Sequence, residues 1–188
     1  MIGKNKQQWI DKGYQIVSEN GFTTINIESI ARVLQKNKSS FYHYFGDSIG
    51  FEEALLEHHL MLAKQFALEV KNCPQIIPGL IHLLLEHKAD IFFHKNLRIH
   101  REKSHYKKCF EAAYNLFEEA VLDKWVVFLK IENYSFLSSE LLRLIGENFL
   151  LQITHENFTH AWLENYLLDI SKLVVNLNRN SPSKQQDH

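Results

Sequence analysis

Glycine and proline are scarce in this chain, with seven glycines and three prolines among 188 residues. A β-sandwich or β-barrel needs many tight turns, and these two residues are the ones that form them most readily. Apolar residues instead recur at helical spacing, as at Ile27, Ile30, Ala31 and Leu34. The pattern predicts an all-α protein, long enough for one domain or for a small module joined to a larger one.

Three helices are predicted near the N terminus, and the second and third are short. The first covers residues 4–20 and ends at Gly21, because glycine adopts the left-handed conformation at little steric cost. The second and third begin after Asn26 and Asn37, whose side chains are good N-caps. Gly13 lies on the inner face of the first helix, which predicts the close approach of a neighbouring helix.

Longer helices are predicted in the rest of the chain. Asp47 or Ser48 caps a helix that runs to about Val70, and Pro74 and Pro78 mark the next junction. The later helices are predicted over residues 76–94, 105–130, 138–153 and 159–178.

The formal net charge of the chain is −1, which excludes a histone-like polycation and argues weakly against a nucleic-acid partner. Residues 1–46, however, carry six basic side chains against three acidic ones, a net charge of +3.

The two cysteines, Cys73 and Cys109, and the polar opening residues predict a reduced, cytoplasmic protein. No run of 18 apolar residues occurs, so no membrane span is predicted.

The segment from Gly21 to Asp47, GFTTINIESIARVLQKNKSSFYHYFGD, follows the helix WIDKGYQIVSEN. Together they resemble the DNA-binding domain of the TetR (tetracycline-repressor) family of transcriptional regulators. The matching features are the Gly21-Phe22 corner, the Ile30-Ala31 pair and the aromatic run from Phe41 to Phe45, and the resemblance covers about residues 4–56.

The resemblance implies an all-α architecture of two parts. The first is an N-terminal three-helix helix-turn-helix DNA-binding domain, residues 1–47, joined by the helix 48–70 to the second. The second, residues 71–178, would be a helical effector-binding and dimerisation domain, and residues 179–188 would be a flexible tail.

One departure from the family pattern lies in the turn between the second and third helices. Family members usually place a small residue and glycine there, whereas this turn reads Leu34, Gln35, Lys36. A non-glycine residue must then adopt the left-handed conformation, at a cost of about 1–2 kcal/mol. Lys36 must also extend its amine out of a half-buried position. Whether this irregular turn weakens DNA binding stays open.

The third helix presents a polar face opposite Phe41 and Phe45. Short or planar donors on such a face reach phosphates and base edges in the major groove. Ser39, Ser40 and His43 are the candidates for base-edge contacts, whereas lysines attract phosphate without specifying sequence. The alternative is a solvated polar face. The candidate DNA-binding residues are Lys4, Lys6, Thr24, Lys36, Asn37, Lys38, Ser39, Ser40, Tyr42 and His43.

The middle helices are rich in aromatic residues, in the region where the resembled family keeps its effector cavity. An apolar pocket with few polar contacts would suit a small apolar effector. The alternative for each of these residues is ordinary core. The candidate pocket residues are Phe92, Phe93, Tyr106, Phe110, Tyr114, Phe117, Trp125 and Phe128.

The last two predicted helices are apolar over most of their circumference, so they need cover on more than one side. Helix-turn-helix proteins place two recognition helices about one DNA turn, ~34 Å, apart on a palindrome. We therefore expect a homodimer joined by a four-helix bundle of these helices; a buried intramolecular core is the competing interpretation. The candidate interface residues are Leu141, Leu144, Ile145, Phe149, Trp162, Tyr166, Ile170 and Leu173.

Residues 94–108 form a basic segment with one acid, Glu102. A solvated surface explains it, with an anionic effector or a second attraction to DNA as alternatives. The histidines show no metal-binding spacing, and no nucleophile–base pair or phosphate loop is present, so no metal, no cofactor and no enzyme activity are predicted.

The sequence thus predicts a ligand-responsive DNA-binding regulator, a repressor by resemblance, that binds a palindromic operator as a homodimer. The effector, the operator, the regulated genes and the choice between repression and activation stay open. The competing hypothesis is a helical small-molecule-binding protein of the same fold with weak or lost operator binding.

Overall fold

The computed structural model describes residues 3–132 and 137–180, with side chains described up to residue 177, and all regular structure in these ranges is helical. The predicted all-α fold is therefore confirmed. A 3₁₀ turn, Phe22–Thr24, and a π-helical turn, Ile76–Leu80, interrupt the series of α-helices. The α-helices are α1 Lys4–Asn20, α2 Ile27–Val33, α3 Lys38–Phe45, α4 Ser48–Asn72, α5 Ile81–Glu86, α6 Lys88–Ile99, α7 Ser104–Leu129, α8 Ser138–Gln152 and α9 His160–Asn180.

The first four helices begin at the predicted residues, and α1 also ends where predicted. The side-chain oxygens of Asn26 and Asn37 accept hydrogen bonds from the backbone N–H groups three residues later, at 2.8 and 2.9 Å. Asp47 caps α4 in the same way. Gly21 ends α1 with a φ of 86°, a conformation that glycine adopts at little cost. Local capping chemistry thus defines the boundaries of α1 to α4.

A closed aromatic core joins α1, α3 and α4. Trp9, Phe41 and Phe51 are fully buried, and the ring of Phe41 lies 5.3 Å from that of Trp9 and 5.1 Å from that of Phe51. Gly13 faces Phe51 so closely that an added Cβ would lie 2.4 Å from its ring. The close helix approach predicted at Gly13 is confirmed.

The turn between α2 and α3 has the predicted irregular backbone. Gln35 adopts a φ of 54°, so a non-glycine residue does occupy the left-handed region. Lys36 is half-buried, and its Nζ donates a hydrogen bond of 2.8 Å to Asn5 Oδ1 at the surface. The lysine therefore extends its amine as expected.

The later helices surround a central pair, α4 against α7, while α1 packs along α6 and α7 contacts both α8 and α9. The helix predicted over residues 76–94 is not continuous, and this prediction is wrong. His87 interrupts it with a φ of −94° and ψ of 26°, so α5 ends at Glu86 and α6 extends to Ile99. The imidazole of His87 binds Asp90 and Glu69, which hold the chain in this bent form.

The other long helices lie within two residues of their predicted bounds. α9 reaches Asn180, two residues into the predicted tail, and residues 181–188 lie outside the described part of the chain. None of the described helices has the combination of length and apolar content that crossing a bilayer requires.

Candidate functional site

The outer face of α3 carries three of the ten candidate DNA-binding residues. Phe41 and Phe45 are buried against the core, whereas Ser39, Tyr42 and His43 are exposed on the opposite face. Tyr42 keeps 52% of its surface accessible, which is a large fraction for an aromatic residue. The helix therefore offers a hydroxyl, a phenol and an imidazole to a partner.

Four other candidate DNA-binding residues have partners within the chain. Ser40 donates its hydroxyl to the backbone oxygen of Asn37 at 2.8 Å, so both residues serve the cap of α3. Lys38 forms an ion pair with Glu28 at 3.2 Å. Thr24 Oγ1 donates to the backbone oxygen of Gly21 at 2.7 Å.

The lysines of α1 and of the turn also differ in their surroundings. Lys6 Nζ lies 5.4 Å from the centre of the Phe45 ring, and Lys36 binds Asn5. Lys4 is exposed. Phosphate attraction by Lys36 or Lys38 therefore competes with contacts inside the chain.

A cavity of about 150 Å³ lies among α4 to α9. Its walls are mostly apolar. Four of the eight candidate pocket residues line it, and all four lie on α7: Phe110, Tyr114, Phe117 and Trp125.

The other four candidate pocket residues lie elsewhere. Phe92 stacks on His155 at 3.9 Å, and Phe93 stacks on Tyr14 of α1 at 4.2 Å. Tyr106 stacks on Phe22 at 4.3 Å, and its hydroxyl donates to Glu52 at 2.7 Å. Phe128 packs beside Trp125 without lining the cavity. Thus Phe93 and Tyr106 attach the N-terminal helices to α6 and α7.

His59, Asp90 and His94 form a polar part of the cavity wall. Tyr14 Oη donates to Asp90 Oδ1 at 3.0 Å and lies 2.8 Å from His59 Nδ1. His59 Nε2 lies 3.3 Å from His94 Nδ1. We call these four residues the polar chain. It connects α1 with α4 and α6 at the cavity wall.

Burial determines the protonation states of His59, His94 and Tyr14 in the polar chain. It lowers the pKa of His94 to about 4 and, together with His94 and His58 nearby, lowers the pKa of His59 well below its usual value. Burial, followed by the charge of Asp90, raises the pKa of Tyr14. Both imidazoles and the phenol are therefore neutral at pH 7.

His87 extends the polar chain with the opposite charge preference. Its Nδ1 lies 2.8 Å from Asp90 Oδ2, and its Nε2 lies 2.8 Å from Glu69 Oε2. Burial opposes the charged imidazolium, but the two carboxylates together overcome this effect and raise the pKa of His87. Asp90 is thus held by a donor on each oxygen.

Two polar groups in the cavity wall lack a hydrogen-bond partner in the described parts of the chain. They are the hydroxyl of Tyr114 and the indole N–H of Trp125, and neither has appreciable accessible surface. Arg143 lies over the Tyr114 ring at 4.8 Å and pairs with Glu118 at 3.9 Å. Buried unpaired donors are rare in folded proteins.

The candidate dimer residues divide between two faces of α8 and α9. Ile145, Phe149 and Tyr166 line the cavity. Leu144 and Leu173 are exposed by 67% and 57%. The half-buried members of the set are Leu141, Trp162 and Ile170.

The basic segment around residues 94–108 is partly neutralised. Arg98 and Arg101 both bind Glu147 of α8, and Lys95 donates to the backbone oxygen of Ile153. These contacts attach α6 to α8, so the segment is more than a solvated surface.

Across residues 3–132 and 137–177, no three His, Cys, Asp or Glu side chains are placed to hold a metal ion.

The polar chain was missed by sequence reasoning. Its hydrogen-bonded pairs are separated by 35 to 76 positions, so no local spacing predicts these bonds. The one available signal was the adjacent pair His58-His59 in the helix predicted to run from residue 48 to about residue 70.

Comparison of the chain with protein-family models, with characterised proteins and with solved structures finds no match.

Proposed function

We propose that this chain is a ligand-responsive transcriptional regulator of the TetR type, which binds a palindromic operator as a homodimer. The exposed polar face of α3 is the observation that carries the proposal. Ser39, Tyr42 and His43 project from that face, while Phe41 and Phe45 anchor the helix from behind. A short, rigidly anchored helix with exposed donors suits a major groove.

α4 supports a link between DNA binding and an effector. Near its start, Phe51 packs on Phe41 of α3, and further along His59 and Phe66 line the cavity. A ligand shifts a population only by its differential affinity for two states. The effector therefore favours one separation of the two recognition helices, lowers DNA affinity and relieves repression.

Exposed leucines on α8 and α9 support the homodimer. Leu144 and Leu151 lie two turns apart on one face of α8, exposed by 67% and 61%, and Leu173 of α9 is exposed by 57%. Aligned apolar side chains at a surface mark interaction sites. A second copy would cover them in a four-helix bundle and place the recognition helices ~34 Å apart.

Sedimentation at micromolar concentration tests the dimer. We expect the wild type to sediment as a dimer and the double variant Leu144→Glu, Leu151→Glu as a folded monomer. Leu68→Glu is the matched control, because Leu68 lies on α4 and is also exposed, by 62%. A monomeric wild type would contradict the proposed assembly.

Shift assays on the DNA that flanks the protein's own gene test operator binding. The double variant Lys38→Ala, Tyr42→Ala should lose tenfold or more in affinity, at least about 1.4 kcal/mol, and should show a smaller salt dependence than the wild type. Lys64→Ala is the control, since it removes one exposed charge from α4, away from α3.

A helical small-molecule-binding protein without operator binding is the second candidate. The ion pair between Lys38 and Glu28 and the bond between Lys36 and Asn5 favour it, because they engage two of the lysines available for phosphate. Indifference of the wild type to DNA at low salt would establish this second candidate in place of the regulator.

A further inference from the structure

The volume of the cavity limits the size of the ligand that it can hold. A volume of about 150 Å³ bounded by apolar side chains holds one benzene-sized ring. Phe66, Phe117, Leu142 and Leu163 form much of the apolar wall. The shape and lining thus select a small molecule with one ring or an equivalent apolar body.

The carboxylate of Asp90 determines which atoms of the polar chain carry a hydrogen. A carboxylate only accepts hydrogen bonds, so Tyr14 donates its single hydrogen to Asp90. The Tyr14 oxygen must then accept from Nδ1 of His59. Because His59 is neutral, its Nε2 carries no hydrogen and accepts from Nδ1 of His94.

His94 is the last residue in this series of hydrogen bonds, and it presents a hydrogen-bond acceptor to the cavity. His94 is also neutral, so its single N–H is used on His59 and its Nε2 keeps a lone pair. His94 is half-buried, lines the cavity and stacks on Phe110 at 4.4 Å. No group in the described ranges forms a hydrogen bond with that Nε2, so it can accept one from a ligand.

The charged groups around the cavity already have partners. Asp90 is held by Tyr14 and His87, and Glu147 is held by Arg98 and Arg101. Arg143 likewise pairs with Glu118. A ligand ammonium or carboxylate would therefore enter an apolar cavity without an available counter-charge, at a high cost.

We propose that the cavity binds a small, uncharged, ring-sized apolar molecule with one hydroxyl group, phenol being the simplest, and that this hydroxyl donates to Nε2 of His94. The inference rests on the proposed function only in taking this cavity as the effector site. Tyr114 and Trp125 do not compete for the hydroxyl, because their polar atoms are covered by protein. The hydroxyl extends the polar chain from His94 into the cavity, at the end opposite to Tyr14 of α1.

Titration calorimetry with phenol and toluene tests the proposal, since toluene replaces the hydroxyl by a methyl group of similar size. In His94→Phe, which keeps an aromatic ring beside Phe110, the phenol-to-toluene ratio of dissociation constants should rise at least tenfold, because the hydroxyl is then buried without an acceptor. In the control His82→Phe, at an exposed position outside the cavity, the ratio should not change.

A second measurement does not depend on any variant. Long-range ¹H–¹⁵N spectra of the wild type should show His94 with a hydrogen on Nδ1 and none on Nε2. Phenol, but not toluene, should shift the Nε2 resonance towards that of a hydrogen-bonded nitrogen. An unchanged ratio in His94→Phe, a hydrogen on Nε2 in the free protein, or failure of both compounds to bind would each overturn the proposal. Because these titrations contain no DNA, their outcome does not depend on whether the operator assays detect DNA binding.

Discussion

The aromatic core under α3 and the aromatic wall of the cavity are built from similar residues and are packed differently. In the first, Trp9, Phe41 and Phe51 are fully buried, and Gly13 lies against the Phe51 ring. In the second, Phe117 is half-buried and the surrounding helices leave about 150 Å³. The amount of aromatic surface therefore does not distinguish a core from a binding cavity.

The two regions also differ in their polar groups. Trp9 is the only member of the first cluster with a buried donor that lacks a partner in the described ranges. The cavity region instead combines the polar chain with the unpaired hydroxyl of Tyr114. Because buried polar groups are stabilised only by partners, such a region depends more on pH and on ligands than an apolar core does.

Acid should destabilise the protein through the cavity region. The folded-state pKa of His94, about 4, lies below its unfolded value of 6.5, so the unfolded chain binds more protons between these values. His94 therefore contributes stability above pH 6.5 that is lost as the pH falls towards 4. Between pH 7 and pH 5 this loss is about 2 kcal/mol, and His59 adds to it with the same sign.

Urea unfolding at the two pH values measures this loss, and His94→Phe should reduce it. His87 has the opposite sign, because its raised pKa gives stability that is present below pH 6.5 and lost as the pH rises through its folded value. His87→Gln should therefore make the acid sensitivity larger. Equal pH dependence in the wild type and in His94→Phe would contradict a neutral His94 in the cavity wall.

Replacing glycine by alanine should have opposite effects in the two regions. At Gly13 the new Cβ would lie 2.4 Å from the buried Phe51 ring, so Gly13→Ala should lower the free energy of unfolding by about 1–2 kcal/mol. At Gly146 it would lie 3.5 Å from the Tyr114 ring, an ordinary contact, and Gly146→Ala should raise stability by up to about 1 kcal/mol through helix propensity.

Chemical denaturation of both variants against the wild type measures these changes. Each variant is the control for the other, since the substitution and the helical setting are the same. Stabilisation by Gly13→Ala would show that the aromatic core under α3 has room to adjust, and the contrast between the two regions would then be lost.

Local sequence rules predicted the elements well. The caps at Asn26 and Asn37, the helix end at Gly21 and the inward direction of Phe41 and Phe45 depend on residues one to four positions apart, so the sequence alone indicates them. The break at His87 was missed because Glu69, which helps to hold it, lies 18 positions away.

The sequence by itself determined the helical architecture, the boundaries of α1 to α4 and the exposed polar face of α3, because helix period and capping act within a turn or two of the chain. Only the tertiary structure decided that Phe93 and Tyr106 pack on the N-terminal helices instead of the cavity, and that His59, His94, Tyr14 and Asp90 meet at its wall. These contacts join distant segments, and side-chain packing between helices, which no local pattern encodes, brings them together.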